Sequence, residues 1–229
     1  VNAGMVIAVA DDPGMHSSQN EQDSRHYAKA AKIPMLEPAD SAECKAYAKL
    51  AYELSERFDT PVILRLSTRI AHSQSLVDRE ERVLPETRPY EKNIQKYVMM
   101  PGMAKKRHPV VEQRMRALTA YAEQADINCE IMGDTKIGVI TSGAAFQYAR
   151  EALGGGASYL KLGMVHPLPE EKIRAFARKI DELYVIEELD DVIESHVKKL
   201  GIAVHGKDIF PLCGEISQNM VAEAFGKQA

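Results

Sequence analysis

A dense run of polar side chains, DDPGMHSSQNEQDSR at positions 11–25, follows the uncharged apolar segment at positions 4–10. Within the run only Pro13, Gly14 and Met15 lack a charged or hydrogen-bonding side chain. Because ligands of open α/β sheets bind beyond the carboxyl ends of the strands, we expect this run to face a cofactor or substrate. Its candidate site residues are Asp11, Asp12, His16, Ser17, Ser18, Gln19 and Asn20.

The residue types in this run allow several kinds of chemistry. Asp11 and Asp12 could hold a metal, act as acid or base, or cap the next element. His16 adds an imidazole, and the amides of Gln19 and Asn20 suit the recognition of a heterocycle or a carbonyl. The alternative is a solvated loop whose serines cap a helix, and the sequence leaves both interpretations open.

A second candidate follows the predicted strand at positions 60–67. The segment RLSTRIAHS at 65–73 contains Arg69, whose planar guanidinium can bind a carboxylate, such as that of a 2-oxoacid, through two hydrogen bonds. His72 is a weaker candidate, because a lone histidine near a strand end is more often a surface or capping residue. If both loops leave the same sheet edge, we expect His16, Arg69 and His72 to converge.

The glycines and a late acidic cluster carry weaker signals. Gly143 follows a strand and opens a helix, so an anion could bind there, whereas the glycines at 154–156 are typical of a helix end. No GxGxxG or GxxxxGK[ST] pattern occurs. For the acidic cluster at 187–191, solvated capping between a strand and a helix is the favoured interpretation.

The first 72 residues alternate between strand and helix patterns. We predict strands at 4–10, 33–38 and 60–67, the first of them buried on both faces because it carries no charge. Helices are predicted at 23–32 and 40–58, the second capped by Asp40 or Ser41. Such alternation favours a parallel sheet with right-handed crossovers.

The rest of the chain divides into a linker and a second α/β unit. Prolines and a charge run break the pattern at 73–132, where we predict a linker with one helix at 110–125. Strands at 136–141, 157–162 and 183–188 then alternate with helices at 143–153, 170–180, 191–199 and 218–225. The domains predicted are therefore 1–72 and 133–229, joined by 73–132.

Composition excludes some classes of protein. The 229 residues are 45% hydrophobic and 27% charged, and the formal charge of −4 argues against broad nucleic-acid binding. The apolar runs are strand-sized, short of the roughly 20 residues that a membrane-spanning helix needs. The 3 cysteines, Cys44, Cys129 and Cys213, lie far apart, so we expect neither a metal site nor a cluster within the chain and favour a reducing cytoplasmic compartment.

Four stretches of the chain resemble a known enzyme family. The sequences at 10–41 and 53–73, followed by those at 136–153 and 160–191, are similar to the alpha subunits of the indolepyruvate ferredoxin oxidoreductases. These belong to the thiamine diphosphate-dependent 2-oxoacid:ferredoxin oxidoreductases. The resemblance implies the parallel-sheet end of a pyrimidine-binding domain, followed by a domain like the C-terminal domain of transketolase.

The family's reaction is the oxidative decarboxylation of indolepyruvate and other aryl pyruvates. The resemblance implies thiamine diphosphate, Mg2+ and 4Fe-4S clusters as cofactors of the parent enzyme, coenzyme A as acyl acceptor, and a beta subunit and ferredoxin as partners. More loosely, His16 matches by position a loop histidine that contacts substrate in transketolase-like relatives.

Several parts of such an enzyme have no counterpart in this sequence. The glutamate that activates the cofactor, the magnesium–diphosphate segment and the cysteine-rich tail are not found, and the chain starts at Val1 in a strand pattern. We therefore expect a segment of a longer protein that is inactive alone.

Two alternatives to the enzyme assignment stay open. The chain could be a non-catalytic interaction or scaffold module of the same fold. It could also be a hydrolase or lyase that uses Asp11, Asp12 and His16 around a metal, which is weaker because no further carboxylate or histidine joins them at ligand spacing.

Overall fold

The computed structural model describes residues 3–83 and 89–227 of the 229-residue chain. The strands of this part are β1 (Val6–Asp11), β2 (Met35–Leu36), β3 (Val62–Ser67), β4 (Asn128–Ile131), β5 (Ile137–Ser142), β6 (Ser158–Leu162), β7 (Met164–His166) and β8 (Glu182–Ile186). Its helices are α1 (Arg25–Ala31), α2 (Ser41–Phe58), α3 (Thr68–His72), α4 (Ile94–Tyr97), α5 (Pro101–Gln124), α6 (Gly143–Leu153), α7 (Glu170–Ala177), α8 (Val192–Lys199) and α9 (Gln218–Ala224).

The strands form two four-stranded sheets. The first has the order β1-β3-β2-β7, in which β1, β3 and β2 are parallel and β7 is antiparallel to β2. The second has the order β4-β6-β5-β8, with β6, β5 and β8 parallel and β4 antiparallel at one edge. The parallel strands and intervening helices confirm the predicted α/β class.

The prediction that the first strand is buried on both faces is wrong. β1 starts at Val6, pairs with β3, and occupies the edge of its sheet. Met5 and Ile7 are 48% and 38% exposed, and only Asp11 of the strand is buried. An apolar run without charge is typical of a central strand, but the run itself does not specify what covers it.

The predicted linker at 73–132 contains more structure than one helix. α5 begins at Pro101, where the missing N–H of proline is tolerated, and it continues through Pro109 to Gln124. β4 comes from the same stretch and pairs with β6 of the second sheet. The division into 1–72, 73–132 and 133–229 stays a prediction, since β7, from the second unit, pairs with β2 of the first.

Apolar side chains from both sheets pack into one buried cluster. Met35 and Ile63 of the first sheet lie in it beside Ile140 and Leu162 of the second, and Phe176 of α7 is fully buried there. The shared core holds the carboxyl ends of β1 and β3 near those of β5 and β8. No helix in the described part of the chain is both long and apolar enough to cross a bilayer.

Candidate functional site

The two aspartates that open the polar run are fully engaged by internal hydrogen bonds. Asp11 ends β1 opposite Ser67 of β3, and it accepts from Ser24 N at 3.0 Å and Arg65 Nε at 2.6 Å. Asp12 accepts from the backbone N–H groups of Ser17 and Ser18 at 2.9 and 3.0 Å. Thr68 Oγ1 also donates to Asp12, at 2.5 Å.

Through these contacts, the two aspartates hold the loop in one conformation. The backbone hydrogen bond from Ser17, followed by the one from Thr68, holds the pKa of Asp12 well below its usual range. Asp11 and Asp12 are both less than one-tenth exposed. A carboxylate whose oxygens are occupied in this way fixes a conformation, and neither aspartate is placed as a free acid or metal ligand.

His16 and Arg69 meet on one carboxylate, that of Glu215. His16 Nε2 lies 3.0 Å from Glu215 Oε1, while Arg69 donates through Nε at 2.7 Å and through Nη2 at 2.5 Å to the two oxygens. Burial would raise the pKa of Glu215, but the hydrogen bonds from Arg69 and His16 lower it. No sequence signal pointed to Glu215, because it belongs to no motif and lies far from His16 and Arg69 along the chain.

The remaining predicted residues are less closely placed. Ser17 and Ser18 act through their backbone N–H groups, Gln19 and Asn20 are exposed, and Asn20 Nδ2 donates to Gln22 Oε1 at 3.1 Å. His72 is exposed at the end of α3. The loop is held from the other side by Glu21, which accepts from Gly214 N at 2.8 Å.

An open cavity adjoins this ion pair. Its volume is about 380 Å³, and its lining residues are Arg69, Tyr148, Glu215, Ile216, Ser217, Gln218 and Met220. Burial, followed by the charge of Glu188, raises the pKa of the Tyr148 phenol to about 12. A neutral phenol beside a guanidinium can orient a carbonyl or carboxylate in such a space.

A buried network of charges lies behind the polar run. Arg65 donates through Nη1 to Glu37 at 2.7 Å as well as to Asp11. Arg25, which is 1% exposed, pairs with Asp23 and with Glu187 at 2.5 Å each. Since Glu187 belongs to the second unit, these pairs tie the end of β8 to the start of α1.

In the acidic cluster at 187–191 the two glutamates are buried, whereas Asp190 and Asp191 are exposed, and Glu187 caps the helix that follows. Glu187 accepts from the N–H groups of Ile193 and Glu194 at 2.9 Å, in the first turn of α8. Glu187 and Glu188 are 2% and 8% exposed. Burial raises the pKa of Glu188 to about 7, the charge of Arg65 opposes this rise, and that of Glu37 adds to it.

Several buried polar atoms at this junction have no hydrogen-bond partner. They are Glu37 Oε2, Arg65 Nη2, Ser67 Oγ, Thr141 Oγ1 and Glu188 Oε1. Gly143, suggested above as an anion site, lies against an internal anion, since a Cβ there would meet Glu37 Oε1 at 2.3 Å. Its φ of +53° also favours glycine.

Among the described residues, the start of the polar run offers no magnesium site. The one group of three potential ligands found in 3–83 and 89–227 is Asp23, His26 and Asp190, which excludes Asp11, Asp12 and His16. In that group Asp23 is bound by Arg25, and His26 is bound by Asp190. Asp11, Asp12 and His16 therefore do not fit a magnesium-bound diphosphate.

Comparison with curated proteins identifies the family. Six proteins named indolepyruvate oxidoreductase subunit IorA are 34–39% identical to the chain over 89–99% of its length. The chain belongs to this family. It spans 34–38% of the length of these relatives. The relative from Archaeoglobus fulgidus is 39% identical, and the alignment covers 89% of this chain and 34% of the relative.

Solved structures agree on the fold. The 2-oxoglutarate:ferredoxin oxidoreductase of Magnetococcus marinus, solved with 2-oxoglutarate, coenzyme A and succinyl-CoA bound, superposes with a TM-score of 0.66 at 14% identity. The match covers 96% of this chain and 48% of that one. A split-gene transketolase gives a TM-score of 0.55 at 17% identity, over 96% and 65% of the two chains. No protein-family model matches the sequence.

Proposed function

We propose that the chain is the part of a 2-oxoacid:ferredoxin oxidoreductase alpha subunit that forms one wall of the substrate cleft. The identity with the IorA subunits over nearly the whole chain carries this proposal. The polar run at the end of β1 and the Arg69–Glu215 pair supply the wall. The reaction, its cofactors and its partners belong to the parent protein, of which this chain spans about a third.

The proposed reaction converts indolepyruvate or another aryl pyruvate and coenzyme A into an acyl-CoA and CO2. The bond between the carboxylate and the carbonyl carbon breaks, a thioester bond forms, and two electrons and the thiol proton are released. In the parent enzyme, 4Fe-4S clusters outside this chain would carry the electrons to ferredoxin. Thiamine diphosphate, with Mg2+, supplies the electron sink when bound in the parent enzyme.

Arg69 is the residue of this chain that we assign to the 2-oxoacid carboxylate. Its guanidinium already holds a carboxylate through two hydrogen bonds, that of Glu215, at 2.7 and 2.5 Å. A substrate carboxylate would replace Glu215 in the same geometry, and His16 would stay within reach of the released Glu215. The exposed side chain of Arg69 leaves the exchange open to solvent.

The partners and compartment follow from the same proposal. The name of the relatives as a subunit supports a beta subunit as partner, and the reaction requires ferredoxin and coenzyme A. We place the parent enzyme in the cytoplasm, where reduced ferredoxin is used. Neither a nucleic acid nor a membrane enters the proposed reaction.

The proposal is tested with the full-length parent and its beta subunit. With thiamine diphosphate, Mg2+, coenzyme A and indolepyruvate, we expect reduction of a viologen dye. Arg69→Ala should lower kcat/KM for the 2-oxoacid by about 10- to 100-fold, the worth of a charge-assisted hydrogen bond. Lys105→Gln, an exposed change on α5, is the matched control and should leave kinetics unaltered.

A non-catalytic module of the same fold is the second candidate. It is favoured by the internal engagement of Asp11, Asp12 and Arg69, which leaves no free acid at the polar run. Under this candidate, the parent would reduce no dye with any aryl pyruvate, while Arg69→Ala would weaken binding of the beta subunit. Dye reduction that depends on Arg69 would exclude it.

A further inference from the structure

A second cavity lies between α1, β7, α7 and α8 and has a volume of about 420 Å³. His166 of β7 pairs with Met35 at the start of β2, so the cavity is near the amino end of that strand, whereas the polar run follows the carboxyl end of β1. Arg25, the last residue of the polar run, lines it, but His16, Arg69 and Glu215 do not. Its volume is within the range of small-molecule sites.

Two imidazoles face this cavity without hydrogen-bond partners. The Nε2 atoms of His166 and His196 are buried and unpaired. His196 Nε2 lies 3.3 Å from Glu170 Oε1, but without the alignment of a hydrogen bond. Burial, then the charge of Lys29, lowers the pKa of His166 to about 4, and burial also lowers the pKa of His196. Both rings are therefore neutral at pH 7.

The charged groups around the rings come from three helices. They are Arg25, His26 and Lys29 on α1, Glu170 on α7, and Asp191 and Lys199 at α8. Arg25 and His26 are bound to carboxylates outside the cavity, and Asp191 accepts from Ser195.

Lys29 and Lys199 are the two lysines that line this cavity. Neither has an ion-pair or hydrogen-bond partner for its ammonium group among the described residues, whereas Lys32 and Lys198 on the same helices are paired with carboxylates. Unpaired ammonium groups beside unpaired imidazoles give a cavity with an excess of hydrogen-bond donors. Both lysines are exposed, so water can hydrate their ammonium groups, but the buried Nε2 atoms of His166 and His196 are expected to have partners.

We propose that this cavity is a binding site for a small metabolite with an oxyanion group, a phosphate or carboxylate, held by Lys29 and Lys199 and by the imidazoles of His166 and His196. Burial and the charge of Lys29 lower the pKa values of both imidazoles, and the negative charge of a bound ligand would raise them again. Binding therefore takes up protons on the imidazoles and strengthens as the pH falls toward their pKa values.

The test uses the full-length subunit with its beta subunit and sulfate as the first probe, because sulfate does not titrate near neutral pH. Calorimetric titration in two buffers of different ionisation enthalpy measures both affinity and proton uptake. We expect sulfate to bind with uptake of protons. The double variant Lys29→Gln with Lys199→Gln should bind at least about 10-fold more weakly, the loss expected for charge-assisted contacts.

Further variants separate binding from folding. His166→Asn with His196→Asn should abolish the proton uptake, and Lys105→Gln on the exposed face of α5 should change neither quantity. Since a ligand of the native state stabilises it, sulfate should raise the Tm of the wild type and of Lys105→Gln but not of the lysine variant. Acetate, inorganic phosphate and glycerol 2-phosphate as competing probes distinguish a carboxylate, a free phosphate and a phosphate ester.

The proposal is overturned if none of these anions binds, or if the lysine variant binds sulfate as the wild type does. Binding without proton uptake would also overturn the role given to the imidazoles. Because the readout is binding and not turnover, failure here is separate from failure of the proposed function.

Discussion

Glu37 and Glu188 share the charge of one guanidinium, that of Arg65, with Asp11. Arg65 bonds Glu37 and Asp11 directly, and one oxygen on each glutamate lacks a hydrogen-bond partner. Three buried carboxyl groups around one positive charge favour the retention of a proton. Glu188, whose pKa burial raises to about 7, is the group placed to keep it.

This raised pKa makes the stability of the protein fall as the pH rises. The unfolded chain releases the proton of Glu188 near pH 4.5 and the folded chain near 7, so the free energy of unfolding declines across that window. Glu188→Gln should flatten the decline and gain up to about 3 kcal/mol above pH 7. Urea unfolding at closely spaced pH values measures the free energy of unfolding across this range.

Glu223→Gln on α9 is the control for this prediction, since Glu223 is exposed. Its slope of stability against pH should match that of the wild type. Between pH 4.5 and about 7, the stability of the wild type should decline more steeply than that of Glu188→Gln. Equal slopes would contradict the raised pKa of Glu188.

At the scale of elements, α2 shows how a local signal fixes a boundary. Asp40 accepts from Glu43 N at 2.9 Å, and Glu43 Oε2 in turn accepts from Ala39 N at 2.8 Å. These reciprocal bonds satisfy N–H groups at the start of the helix that have no partner within it. Of the two caps that the sequence suggested, Asp40 is the one used.

Removal of this cap should destabilise the protein without altering the site. We expect Asp40→Ala to lower the free energy of unfolding by about 1 kcal/mol. Asp40→Asn retains an accepting oxygen and should keep most of the stability, which makes it the matched control. Equal stability of the alanine and asparagine variants in urea unfolding would show that the Asp40 cap does not stabilise α2.

The elements that sequence reasoning found are those with local patterns. α2, β5 and β8 follow from periodicity and capping within a few residues. β4 and β7 have few residues, and each becomes a strand only by pairing with a partner distant in sequence. β1 was found, but its exposure depends on which neighbours cover it, and no local pattern states that.

The same limit applies to the candidate site. His16 and Arg69 stand out because imidazole and guanidinium groups follow strands, a local signal. Glu215, which joins them, lies 146 residues beyond Arg69 in an unremarkable stretch. Glu37 and Arg65 are likewise brought together only by strand order. Long-range pairs of this kind cannot be predicted from spacing along the chain.

At the scale of the whole molecule, Arg25 is a fully buried charged link between the two units. It pairs with Asp23 beside it and with Glu187 of the second unit, and it also donates to the carbonyl oxygens of Glu188 and Asp190. All of these charges are withdrawn from water, so each carboxylate depends on the guanidinium for compensation.

Loss of this link should be costly. Arg25→Met keeps much of the volume but removes the nearest counter-charge of the buried Asp23 and Glu187, and we expect a loss of about 3–5 kcal/mol in the free energy of unfolding. His26→Gln breaks the neighbouring exposed pair with Asp190 and should cost at most about 1 kcal/mol. If urea unfolding gave similar small losses for both variants, Arg25 would not hold the units together.

The pairing of β7 with β2 has a practical consequence for anyone who produces the two halves separately. A cut anywhere between α2 and β5 removes β7 from the sheet that it completes and leaves β2 with an open edge. The amino-terminal product would also carry Arg25 without Glu187. Each half should therefore aggregate when it is expressed alone. Co-expression, in which each half supplies the strand or charge that the other lacks, is the better route to soluble material.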